Sequence, residues 1–379
     1  MNNSAAEISS YLKHGDYSVA VRRTLDLCLD SGNDALIEKA TSWSRQYHAN
    51  EKAGKTLPGD FVEDAEKILQ DVSTTGSGPV QQNTQLISAE NISKTYRNGN
   101  FSLKPMSLAV DTGNVLGVVG ENGNGKTTLL RCLAGQLGLN DGVIKYHLLA
   151  NPDTYAIKNH IAFIPQRIPK WYGQLKDNLH FSAAIAGISG SKNNLMVNFM
   201  LERLNLSSYA HLTWDQISSG YRTRFEIARI LLQKPRLLIL DEPLANLDIN
   251  AQQTILTDLI FMAKGAHNPM GIILSSQQLH EVEKVADSVI FIKQGNCIYK
   301  SSDDEGKITS NAVEFETRAE RESIISLFGE GNIELQFNGG FYTIISSTLS
   351  SQEIISKLIA AKITITYFRD ITYSTKRFF

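Results

Sequence analysis

The sequence predicts an α/β fold, a parallel sheet flanked by helices, with a small all-α module ahead of it and a small α+β unit behind. Three observations carry this expectation. Val115-Leu116-Gly117-Val118-Val119 is an apolar run that passes through Gly120-Glu121-Asn122-Gly123-Asn124-Gly125-Lys126-Thr127-Thr128 into Leu129, Leu130, Cys132 and Leu133, a strand, a tight turn and a helix in succession. Leu237-Leu238-Ile239-Leu240 is a second apolar run, ending on Asp241-Glu242-Pro243, and unbroken apolar runs suit strands covered on both faces. From residue 311 onward the pattern reads strand, helix, strand, strand, helix, strand.

Taken in order, residues 1–72 read as a helical module. Asp16 caps a helix carrying Val19, Val21, Leu25, Leu27 and Leu29; Asp34 begins a second with Leu36, Ala40, Trp43 and Tyr47; a third starts near Asp60 with Phe61, Ala65 and Leu69. Two readings stay open for this module, a bundle that docks on the central unit and a regulatory or partner-binding module whose ligand the sequence does not identify. Residues 73–84 are small and polar and read as a flexible linker. The central unit spans 85–300: strands near Gln85–Glu90 and Leu103–Val110 form an antiparallel layer, and a helix-rich insertion contains Leu175–Gly187 and Asn194–Leu204. The tail, 311–379, has strands at Ala312–Thr317, Asn332–Phe337, Phe341–Ser346 and Ile363–Arg369 and helices at Arg318–Phe328 and Ser351–Ala361, the βαββαβ order of a ferredoxin-like domain.

The chemistry lies in the turns. Gly120 to Thr127 fits GxxxxGK[ST], a loop whose backbone N–H groups converge on a helix N-terminus and there stabilise an anion. Gly123 and Gly125 permit the tight path, Lys126 can reach terminal phosphates and the Thr127 hydroxyl can ligate Mg²⁺. Two adjacent carboxylates at the end of a buried strand are costly without a cation or a proton to take up, so Asp241 is placed as the Mg²⁺ partner and Glu242 as the base that polarises an attacking water.

Around these motifs stand Ile217-Ser218-Ser219-Gly220-Tyr221, Ala245-Asn246-Leu247-Asp248, Phe163-Ile164-Pro165-Gln166 and Ile92-Ser93-Lys94-Thr95-Tyr96. In this order the set resembles the ATP-binding cassette (ABC) ATPases, P-loop NTPases with a helical subdomain. The resemblance implies ATP and Mg²⁺ as ligands, Tyr96 stacked on adenine, Gly120, Asn122, Gly123, Gly125, Lys126, Thr127 and Thr128 around the phosphates, and Gln166 sensing the metal and the nucleophilic water. It implies that Ser218 and Gly220 of a second copy cap the γ-phosphate. Ser219 and Tyr221 depart from the family's Leu-Ser-Gly-Gly-Gln. A larger departure follows Ile273-Leu274-Ser275-Ser276, where the family's histidine is replaced by Gln277, with His280 three residues on. An amide donates a hydrogen bond but carries no proton or charge, so either Gln277 holds the γ-phosphate by its amide or His280 takes over the role.

The resemblance further implies a partner permease in the membrane, touched through the helical insertion, with Trp171 and Tyr172 either at that contact or packed inside. The closing segment from Tyr367 resembles the end of bacterial ATPases of the ABC-2 exporter type, which implies export. A net charge of −2 gives no case for nucleic acid as a partner, and the three cysteines, Cys28, Cys132 and Cys297, lack metal-ligand spacing, as suits a reducing cytosol. No apolar run is long enough to cross a bilayer. The expectation is a cytoplasmic ATPase subunit, peripheral on the inner face of the membrane through its permease, working as a dimer of cassettes. The alternative is a soluble nucleotide-gated binding module with little turnover.

Overall fold

In the computed structural model the described residues are 3–75, 84–96, 101–149, 154–245, 247–265, 269–300, 310–329 and 333–372. They fall into two compact units, one of residues 1–287 with 292–297 and one of 288–291 with 298–379. Most of the segment read as a linker, the family-motif residue Asn246, and the end of the tail from Tyr373 lie outside the described residues.

The chain opens with four helices, α1 (Asn3–Lys13), α2 (Tyr17–Asp30), α3 (Asp34–Ala53) and α4 (Phe61–Thr75). Asp16 caps α2 by accepting from the Val19 N–H and α3 begins at Asp34, both as expected; Asn33 caps α3, accepting from Ala35 and Leu36. The sequence reading lacks α1, although Ala5, Ile8 and Leu12 are buried at helical spacing. Helix α4 also runs to Thr75, into the segment read as linker. The Ser73 and Thr74 hydroxyls donate to the carbonyls of Gln70 and Asp71, which satisfies groups that otherwise compete with a helix. At the bundle centre Trp43 stacks on Phe61 at 4.7 Å and donates its indole N–H to the Phe61 carbonyl.

Next come β1 (Gln85–Thr95) and β2 (Ser102–Asp111), then β3 (Val115–Val119), α5 (Lys126–Leu133), β4 (Asp141–Tyr146), α6 (Thr154–Asn159) and β5 (Ile161–Ile164). The insertion holds α7 (Leu175–Ile185) and α8 (Gly190–Arg203), followed by α9 (Ser219–Leu231), β6 (Leu237–Leu240), α10 (Ile249–Ala263), β7 (Gly271–Ser276), α11 (Leu279–Val282), β8 (Ser288–Lys293) and β9 (Asn296–Lys300). Strands β2-β1-β4 form the expected antiparallel layer, and β5-β6-β7-β3 run parallel. Every residue of β3, β6 and β7 is buried, which is why these strands read as continuous apolar runs.

The helical module is held to the central unit by buried charge. Arg203 at the end of α8 donates to Asp26 of α2 at 2.9 Å and to Asp258 of α10 at 2.8 Å. Beside it Glu202 accepts from Arg45 and His48 of α3 and from Ser207. Burial works against the Arg203 charge, but the two aspartates raise its pKa further. One ion-pair cluster thus joins three elements, α2, α8 and α10.

The second unit contains β10 (Asn311–Thr317), α12 (Arg321–Phe328), β11 (Glu334–Asn338), β12 (Phe341–Ser346), α13 (Ser351–Ala360) and β13 (Ile365–Asp370). Its antiparallel sheet has the order β11-β12-β10-β13, a ferredoxin-like arrangement, over a core that includes Val313, Phe315, Ile324, Phe328, Ile344, Ile354 and Leu358.

Candidate functional site

Strand register brings the motif residues to one edge. Ile164 pairs with Leu240, Leu240 with Leu274, and Val119 with Ser276. Gln166, Asp241, Gln277 and Gly120 follow these positions directly or within two residues, at the carboxyl ends of neighbouring parallel strands, where open α/β sheets bind ligands.

The loop between β3 and α5 curls around the Lys126 side chain. Gly125 has φ +103°, a region closed to most L-residues, and a Cβ there would meet the Phe101 ring at 2.4 Å. At Gly120 a Cβ would lie 2.4 Å from the Ile292 carbonyl oxygen. Asn124 anchors the loop: its side-chain oxygen accepts from the Gln294 N–H and its carbonyl from the Gly295 N–H. Lys126 is buried and donates to the carbonyls of Gly120 at 2.6 Å and Glu121 at 3.2 Å, and its ammonium lies 3.0 Å from Glu242.

Glu242 and Asp241 complete the cluster. Glu242 Oε1 takes Lys126, while Oε2 accepts amide hydrogens from Gln166 at 2.7 Å and Gln277 at 2.9 Å. Asp241 accepts from the Thr127 hydroxyl at 2.7 Å on one oxygen and from Ser275 at 2.8 Å on the other. The hydroxyl of Thr127 and the Asp241 carboxylate are hard oxygen donors side by side, a pair that fits Mg²⁺, which takes a few protein oxygens and completes its shell with phosphate and water. A cavity of about 260 Å³ borders Gln166, Asp241 and Glu242, so the cluster is open to a ligand.

The structure therefore gathers Lys126, Thr127, Gln166, Asp241, Glu242 and Gln277. Tyr96 stands beside them, its hydroxyl 3.3 Å from that of Thr128 and its ring partly exposed. Asn122 is exposed at the loop mouth, and Gly123, with φ +81°, forms its turn. Ser218 and Gly220 stand apart. Ser218 is the N-cap of α9, and the nearest groups around Gly220 are Leu247 and Ala251. Tyr221, the departure from the family pattern, packs on Tyr209 with ring centroids 4.0 Å apart; burial and that hydrogen-bonding partner push its pKa up to about 12. The side chain of His280 lies outside the described residues. Two residues were not singled out from sequence. Phe101 carries no motif, and Ser275 shows only as a polar residue at the end of an apolar strand, a signal that acquires meaning once β6 and β7 are known to pair.

Comparison with known proteins identifies the family. The ABC transporter family model matches residues 103–245. The ABC transporter ATP-binding protein YxlF of Bacillus subtilis is 33% identical over 217 residues, covering 57% of this chain and 70% of that protein. The phosphonates import ATP-binding protein PhnC of Treponema denticola is 25% identical over 229 residues, 56% of this chain and 88% of that one. Among solved structures, cbiO1 from Clostridium perfringens, part of the ABC transporter complex cbiONQ, superposes with a TM-score of 0.52 at 23% identity, over 64% of this chain and 94% of that chain. The fold and site define a P-loop ATPase of the cassette type. The chain belongs to the ATP-binding proteins of ABC transporters.

Proposed function

We propose that this chain hydrolyses Mg-ATP as one half of a cassette dimer that drives a membrane permease from the cytoplasmic face. The observation that carries this is the hydrogen-bonded cluster of Lys126, Thr127, Gln166, Asp241, Glu242 and Gln277, joined through Ser275, at the mouth of the phosphate loop. Glu242 rests against the Lys126 ammonium, the place a terminal phosphate would take. An arriving phosphate takes over Lys126 and leaves Glu242 with its two amide donors, positioned to accept a proton from water. Thr127 and Asp241 would hold Mg²⁺, which when bound neutralises phosphate charge. Tyr96, beside Thr128 with its ring partly exposed, would stack on the adenine.

One copy does not complete the site, because Ser218 and Gly220 lie outside the cluster; a second subunit, here taken as another copy, supplies them. Among the described residues no helix is long and apolar enough to cross a membrane. The helical insertion offers a contact for a membrane partner: Tyr172, Phe181 and Ile185 are 82%, 68% and 65% exposed. Trp171 is not part of that surface, since it is buried and stacks on Trp214 at 5.1 Å. Export as the direction rests on the resemblance of the tail.

Glu242→Gln tests the dimer. It removes the base while keeping shape, so hydrolysis should fall by about 10²–10⁴ while Mg-ATP binding persists and an ATP-bound dimer accumulates. Light scattering with and without Mg-ATP reads this; a fully ATP-occupied monomer would count against the two-copy site. A wild-type chain that binds ATP without hydrolysing it points to the nucleotide-gated binding module instead.

A further inference from the structure

We infer that Ser275 is a positioning residue for the nucleotide site, one hydroxyl that fixes both the metal-binding carboxylate and the backbone of the base. This rests on the Mg-ATP reading above. Ser275 is fully buried in β7, one step past the Leu240–Leu274 pair, so it faces Asp241 across the strand junction. Its hydroxyl donates to Asp241 Oδ1 at 2.8 Å and accepts the Glu242 backbone N–H at 2.9 Å. A hydroxyl has one hydrogen to give and lone pairs to receive, so both bonds form at once with consistent polarity.

Each bond meets a specific need. Asp241 spends its other oxygen on Thr127, so Ser275 and Thr127 together set the plane of the carboxylate. Glu242 has φ +49°, a left-handed conformation that a residue with a Cβ seldom adopts, and the bond to Ser275 holds its N–H in place there. That backbone geometry aims the Glu242 side chain back at Lys126, Gln166 and Gln277. Apolar residues of similar size at this position would leave a buried N–H without a partner and a carboxylate oxygen short of a donor. Partners that orient metal-binding groups typically govern about 10- to 100-fold of metal affinity or activity.

The test compares the full chain with Ser275→Ala and Ser275→Thr, the latter keeping the hydroxyl. ADP binding is measured by titration calorimetry in EDTA and again with Mg²⁺, alongside kcat and KM for ATP. The expected result for Ser275→Ala is unchanged ADP affinity in EDTA, a loss of about 10- to 100-fold in apparent Mg²⁺ affinity of the nucleotide complex, and a fall in kcat with little change in KM. Ser275→Thr should recover most of both. Should the alanine chain fail to fold, Ser275→Cys, with its weaker donor, should shift the same quantities in the same direction by less. Wild-type metal dependence and turnover in Ser275→Ala, with nucleotide binding intact, overturns the assignment of Ser275 alone. A wild-type chain with no Mg²⁺-dependent nucleotide binding overturns the Mg-ATP reading and this inference with it.

Discussion

Two regions of the first unit bury opposite charges, and they do so for different ends. At the helical junction, Arg203 is shared between Asp26 and Asp258, two partners contributed by two other helices. At the sheet edge, Lys126 is paired with Glu242, which also accepts from two glutamine amides. Removing a guanidinium from the first cluster leaves Asp258, among the described residues, with a long contact to Arg22 at 3.4 Å. Removing the ammonium from the second leaves Glu242 with two donors and an adjoining cavity that admits water. The first is a fixed joint between helices; the second, in the function proposed above, is an exchangeable pair whose anion would yield its place to a ligand.

The sharpest way to break this comparison is at the joint. Arg203→Met should lower unfolding free energy by about 3–5 kcal/mol, the usual cost of stranding a buried carboxylate, measured by urea denaturation. Adding Asp26→Asn and Asp258→Asn should restore part of it, since no buried carboxylate is then left stranded, although Arg22 loses its contact with Asp258. The same joint bears on the helical module. A polar segment after it suggests separability, yet its Asp26, Arg45 and His48 are partners of buried cassette residues. Removing residues 1–75 should therefore destabilise the remainder rather than leave it untouched.

Lys126→Ala should show the opposite profile, losing about 2–5 kcal/mol of ATP binding by calorimetry while costing less stability than Arg203→Met. Equal stability losses in the two variants would erase the distinction. A smaller effect is expected at Gln277. Its alanine variant should lower turnover about 10- to 100-fold, the worth of one hydrogen bond to a charged group, and Gln277→His should recover activity with a new pH dependence near about 6.5. Wild-type rates in Gln277→Ala would remove Gln277 from the site.

An effect of comparable size is expected at Glu202. Burial pushes its carboxyl up, but hydrogen bonds from His48, Ser207 and Arg45 outweigh it and hold the pKa below the ordinary 4.5. The folded state thus favours the ionised form, so this contribution is complete above about pH 4.5 and fades as the pH falls through the lowered value. Glu202→Gln should be less stable than wild type at pH 7 by about 1–3 kcal/mol, and the two melting curves should converge in acid. A constant difference across pH would show that shape, not charge, sets this contact.

Much of the site was legible because its parts are local. The phosphate loop needs particular glycines, a lysine and a threonine within one turn, and the adjacent carboxylates stand out against an apolar strand. Buried strands announced themselves by unbroken apolar runs, and the tail by its order of elements. The helix α1 carried a legible spacing in Ala5, Ile8 and Leu12. Trp171 and Tyr172 were indistinguishable as neighbouring aromatics; packing against Trp214 buries one and leaves the other in solvent.

By itself the sequence determined which groups could meet a phosphate, because residue type and short spacing fix donors, acceptors and backbone freedom within one turn. Tertiary structure decided which distant groups share them. Strand register set Ser275 against Asp241, and helix packing closed Asp26, Arg203 and Asp258 into one cluster. Neither follows from local pattern, since each depends on elements far apart in the chain. A hydrogen bond exists only when the fold brings donor and acceptor to within about 3 Å.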